Sequence, residues 1–106
     1  MERMEKLKAY LEAQPEDAFL QHALALEYIK LGNDAEARLL FENIISTQPG
    51  YVGTYYHLAK LYERAQLVEQ AIQTYEAGMA QARRVADNHA YHELQAALED
   101  LTDSEL

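Results

Sequence analysis

The chain has 106 residues, 49% hydrophobic and 25% charged, with four glycines, two prolines and no cysteine. That is one domain of ordinary globular composition, able to bury roughly 65% of its unfolded surface, and it excludes a disulfide framework or a thiolate metal site. Eighteen acidic residues against nine basic ones give a formal charge of −9, which argues against nucleic acid and anionic membranes as partners, since both select a basic face.

The first residues, Met1 to Lys6, run charged into an amphipathic segment, and no stretch approaches the ~20 apolar residues of a membrane span. A cytoplasmic location is the expectation. Residues 1–13 carry Met4, Leu7, Tyr10 and Leu11 on one helical stripe. Gln14-Pro15-Glu16-Asp17 breaks the chain and restarts it, with proline and acids at home in a first turn. The next helix, about 16–31, buries Phe19 or Leu20, then Leu24, Ala25, Tyr28 and Leu31, and Gly32 ends it as a left-handed cap. Asn33 followed by Glu36 reads as a capping box for a helix over 34–47, which presents Ala37, Leu40, Phe41, Ile44 and Ile45. After the Pro49-Gly50 turn, helix 52–65 carries Tyr55, Leu58, Ala59 and Tyr62. Helix 68–85 carries Val68, Ala71, Ile72, Tyr75, Gly78 and Met79. Between these two, Gln66 stands where the earlier turn has Gly32. Asp87 or Asn88 caps a last helix, 88–101, with Tyr91, Leu94, Leu98 and Leu101 on one face, and 102–106 reads as a short frayed tail. The expectation is an all-α chain of about six antiparallel helices.

These elements recur. Pro15 and Pro49 lie 34 residues apart, and residues 18–51 set over 52–85 without a gap place Leu24 on Leu58, Ala25 on Ala59, Tyr28 on Tyr62, Ala37 on Ala71 and Glu42 on Glu76. A fixed period of this length marks a helical repeat array. The pattern Leu24-Ala25, Tyr28, Ala37, Phe41, Pro49, repeated as Tyr55, Leu58-Ala59, Tyr62, Ala71, Tyr75, resembles the tetratricopeptide repeat. The chain departs from that pattern at Gln21, where an aromatic is usual, and at Arg83, where a proline is. The resemblance implies helix-hairpin repeats in a right-handed solenoid. One domain, 1–101, would hold a half-repeat at 1–17, repeats at 18–51 and 52–85, and a capping helix at 88–101. The small residues Ala25, Ala37, Ala59, Ala71 and Gly78 would let helices approach closely.

The resemblance also implies a function: a protein or peptide partner held in a concave groove lined by the first helix of each hairpin. The groove positions are Phe19, His22, Leu26, Ile29 and Lys30, then Gly53, Tyr56, Lys60, Glu63 and Arg64. From the last helix come His89, His92, Ala96 and Glu99. Of these, His22, Leu26, Lys30, Tyr56, Lys60, Arg64 and His92 are the candidate binding residues. Three of the nine basic residues fall there, compatible with an acidic or C-terminal peptide held by charge-assisted hydrogen bonds. A chaperone-type carboxylate clamp is not expected, because His22 and Leu26 stand where it needs Lys and Asn. The alternative is a structural unit that self-associates through its end helices, so a monomer or a weak homodimer is expected.

No chemistry beyond binding is signalled. His89, His92 and Glu93 lie close in sequence but lack a cysteine or an H-E-x-x-H arrangement, and read as a solvated helix face, not a metal site. His57 reads as a half-buried packing residue. There is no phosphate loop, and no Ser or Thr stands beside a plausible His base, so neither catalytic residues nor cofactors are expected.

Overall fold

The computed structural model describes residues 2–105, with side chains through 103. Six helices and no strand occur among the described residues: α1 (Glu2–Ala13), α2 (Ala18–Lys30), α3 (Asp34–Thr47), α4 (Gly53–Arg64), α5 (Val68–Arg84) and α6 (Asn88–Glu105). They form two compact units, residues 1–48 and 49–106, each described here by itself.

In the first unit α1 packs on α2, and α2 pairs with α3. Met4 and Leu7 join Ala23 and Leu24 in a buried cluster edged by Leu11, Leu20, Tyr28 and Leu40. The helical spacing left Phe19 and Leu20 as alternatives; Leu20 packs against this cluster, while Phe19 is 66% exposed. Tyr10, placed on the α1 stripe by its spacing, is exposed, one step of the helix beyond the face that α2 covers. Ala25, Ala37, Phe41 and Ile44 have no accessible surface, so α2 and α3 meet through alanines with an aromatic filling the space beside them.

Gln21, the departure from the aromatic, is buried and fully engaged. Its Nε2 donates to the Pro15 carbonyl at 2.7 Å, and its Oε1 accepts from Asn43 Nδ2 at 2.9 Å. At the equivalent place in the second unit, the Tyr55 hydroxyl donates to the Pro49 carbonyl at 2.5 Å. Two unlike side chains thus tie the same proline turn to the helix that follows it. Burial without unmet hydrogen bonds explains why a polar residue is tolerated there.

The second unit stacks α5 between α4 and α6. Tyr55, Leu58, Ala59, Ala71 and Tyr75 are buried, as are Leu94 and Ala97 of α6. Gly78 lets three helices converge: a Cβ there would lie 2.6 Å from Tyr55 Cβ and 3.0 Å from Leu94 Cδ1. α6 is longer than its stripe suggested. The segment from 102, expected to fray, is helical through Glu105, and the Thr102 hydroxyl donates to the Leu98 carbonyl at 3.0 Å; residue 106 lies outside the described residues.

Asp17, Asn33 and Asp87 accept from the third amide beyond them, starting α2, α3 and α6. The capping box at Asn33 forms only by half, because the Asn33 amide donates instead to the Tyr28 carbonyl at 2.9 Å. That bond closes a Schellman turn around Gly32 (φ 76°). The same closure recurs at Gln66 (φ 64°), with Leu67 N on Tyr62 O, and at Ala86 (φ 59°), with Asp87 N on Ala82 O. A left-handed residue with a Cβ costs ~1 kcal/mol, so the turn geometry wins over local preference twice.

Two outcomes follow for thermal unfolding. Gln66→Gly should stabilise and Gly32→Ala destabilise, each by up to about 1 kcal/mol, opposite signs at equivalent positions; equal signs would contradict the turn assignment. Gly78→Ala should cost about 1–3 kcal/mol despite alanine's better helix propensity, because the Tyr55 atoms it meets lie next to the backbone and cannot swing away. An unchanged midpoint would show that α4 and α5 can part without loss.

Candidate functional site

The first helix of each hairpin carries an outward row opposite its packed face. On α2 this row is Phe19, His22, Leu26 and Ile29, spaced three and four apart, with Lys30 at the end. His22 is half-buried, its ring 5.3 Å from that of Phe41 and tilted by 58°. Leu26 and Ile29 are half-buried. Lys30 is exposed, but its Nζ lies 3.1 Å from Glu27 Oε2, and the same oxygen accepts from Arg3 Nε at 3.1 Å. The Lys30 hydrogen bond leads in holding the Glu27 carboxyl below its usual 4.5, against an opposing effect of partial burial.

On α4 the corresponding row is polar. Tyr56 and Lys60 are half-buried and Arg64 is exposed. Lys60 Nζ sits 5.5 Å from the centre of the Tyr56 ring and 3.6 Å from Glu63 Oε2. The Tyr75 hydroxyl, rising from the core, donates to the Glu63 carboxylate. Burial first, and then the neighbouring Glu63, pushes the Tyr75 phenol far above its usual range, so it remains a donor at any physiological pH. This Tyr75–Glu63–Lys60 relay was not read from the sequence. The signal was there, since the same three positions in the first hairpin are Phe41, Ile29 and Leu26, a concerted change from apolar to polar.

On α6, His89, His92, Ala96 and Glu99 are all exposed. A cleft of about 210 Å³ opens between α4 and α6, lined by Val52, Gly53, Tyr56 and His57 on one side and Ala90, Glu93 and Leu94 on the other. His92 is exposed with its ring edge-on to Tyr91 at 5.5 Å. It does not line the cleft, and neither does His89, which lies 3.6 Å from Glu93. The buried positions Leu94 and Ala97 turn Ala90 and Glu93 toward α4 in their place. His57 is half-buried, as its place beside Leu58 suggested, and burial lowers its pKa against the opposing pull of Glu93.

The two groups shifted downward, His57 and Glu27, act in one direction. A folded-state pKa below the unfolded value contributes stability that is present above the unfolded pKa and is lost as pH falls. For His57 the loss begins below about 6.5; for Glu27 it begins below about 4.5. The melting temperature should therefore decline between pH 7 and 5, and His57→Asn should flatten that part of the profile. A parent profile that is already flat there would contradict the burial of His57.

A family model described as tetratricopeptide repeat matches residues 28–98. A tetratricopeptide repeat domain protein from Salinibacter ruber, solved in solution, is 46% identical with a TM-score of 0.79, over 82% of this chain and 88% of that one. The TPR2B domain of yeast Sti1, in complex with pHsp70, superposes with a TM-score of 0.87 at 19% identity, over 95% of this chain and 81% of that one. A Bordetella parapertussis protein gives a TM-score of 0.82 at 24% identity, over 96% and 89%. The last two show likeness of fold alone. No curated protein matches the sequence. With the repeat pattern, the helix pairing and the family match in agreement, the chain belongs to the tetratricopeptide repeat family.

Proposed function

We propose that this protein is a non-catalytic module that binds a protein or peptide segment on the outward rows of α2 and α4. Its family supports an interaction role in general, and the complexed Sti1 domain supports a peptide as the class of partner. The observation that carries the reading is Phe19. A phenylalanine 66% exposed at the head of a row that continues through His22, Leu26 and Ile29 contributes nothing to the core it stands on. Covering it would remove apolar area from water at roughly 25 cal/mol per Å².

The basic residues weigh differently. Lys30, Lys60 and Arg64 favour an acidic partner by their position, but Lys30 and Lys60 already face Glu27 and Glu63. A carboxylate arriving at either would have to displace a carboxylate held in place, in one case by a buried phenol. The first gain on binding therefore comes from apolar side chains laid along α2 and from the Tyr56 ring, an area-rich contact with little rotamer freedom to lose.

The partner recovered with the intact chain from native lysate, once identified and purified, supplies the test. Titrated against it, Phe19→Ser and Tyr56→Ala should each weaken binding tenfold or more. Leu39→Ser, at a residue 62% exposed on the second helix of the same hairpin, should bind as the parent does. If Leu39→Ser loses affinity while the other two keep it, the rows of α2 and α4 are not the binding surface.

A further inference from the structure

The cleft between α4 and α6 has a composition that the function proposed above does not use. Its floor is apolar, with Leu94 fully buried and Val52 and Ala90 partly so. The Tyr56 ring lines one wall. The Glu93 carboxylate lines the other, its side chain 56% exposed. Gly53 leaves the mouth open, since a Cβ there would meet nothing within 4 Å. At about 210 Å³ the space is below the 300–1,000 Å³ usual for small-molecule sites, and of the order of one long side chain.

The charges around it decide the sign of the occupant. The starts of α4 and α6 lie close by and would favour an anion, but three of their amides are already used. Thr54 N and Tyr55 N donate to the Tyr51 and Val52 carbonyls, and Ala90 N donates to the Asp87 carboxylate, which also offsets the α6 dipole. Lys60, one turn along α4, does not line the cleft; its ammonium is held by Glu63 and already lies 5.5 Å from the centre of the Tyr56 ring, so the ring is not counted as a site for a second cation. His89 Nε2 stands 3.6 Å from Glu93 Oε2 and does not itself line the cleft. Burial keeps His57, on the opposite wall, from gaining a proton readily. What the cleft itself presents is one acidic side chain, Glu93, beside an apolar floor, the combination that receives a cation on an aliphatic stem.

We infer that the α4–α6 cleft is a recognition pocket for one cationic side chain, lysine or arginine, of a partner segment. The stem lies along Val52, Ala90 and Leu94, and the charged head meets Glu93. This rests on the reading of the α4 row as a binding surface and adds a preference in charge opposite to the one the basic residues suggest.

The test uses the full isotope-labelled chain and two small probes, Nα-acetyl-lysine methylamide and Nα-acetyl-norleucine methylamide, which keeps the aliphatic stem and lacks the ammonium. The lysine probe should shift the amides of Gly53, Ala90 and Glu93 with half-saturation at roughly 1–10 mM, as a fragment of this size allows. The norleucine probe should bind about fivefold more weakly. Glu93→Gln, at an exposed position where folding is not at stake, should bring the two probes together. Equal binding of both probes to the parent chain, or shifts that miss the cleft, would overturn the pocket. Because the probes need no natural partner, a failed pocket is distinguishable from a failed binding row: Tyr56→Ala would still impair partner capture in the first case and would leave it intact in the second.

Discussion

How closely two helices may approach is the constraint on which both hairpins depend. Ala25 against α3 and Ala59 against α5 bring the helix backbones near enough for one aromatic, Phe41 or Tyr75, to be wholly enclosed. Larger side chains at the alanine positions would part the helices and leave that ring beside a void, and a void loses dispersion contacts outright. Gly78 extends the same logic to a third helix. Because these contacts consume one face of α2 and of α4, the opposite rows are left for other work.

The two hairpins use one backbone plan for two chemistries. At equivalent positions the first carries Phe41, Ile29 and Leu26, and the second Tyr75, Glu63 and Lys60. The first row therefore presents apolar surface headed by Phe19. The second presents an ammonium already neutralised by a carboxylate that a core phenol holds.

Most of this was legible in the residues. The 34-residue recurrence gave the helices to within one or two residues, save at the C-terminus of α6, and the small residues gave the close contacts. What escaped has physical reasons. Gln21 was visible as an exception, but its double hydrogen bond depends on where Asn43 and the Pro15 carbonyl stand in space. Gln66 and Ala86 take left-handed conformations that nothing in their side chains announces; the Schellman hydrogen bonds impose them. The cleft beside α6 escaped because α5 is three residues longer than α3, so equivalence by 34 does not carry from α4 to α6, and spacing alone does not bring Ala90 and Glu93 beside Tyr56. Leu94, on the stripe that its spacing indicated, is buried as Leu58 is.

Binding by the outward rows of the first helices, as proposed, is open to direct measurement. Side-chain NMR of the labelled chain with its purified partner addresses it most directly. The account predicts that the Leu26 and Ile29 methyls and the rings of Phe19 and Tyr56 shift or broaden, while the methyls of Leu39 and Val85, equally exposed on or just beyond the second helices, do not. Perturbation of Leu39 and Val85 with the four others unmoved would contradict it.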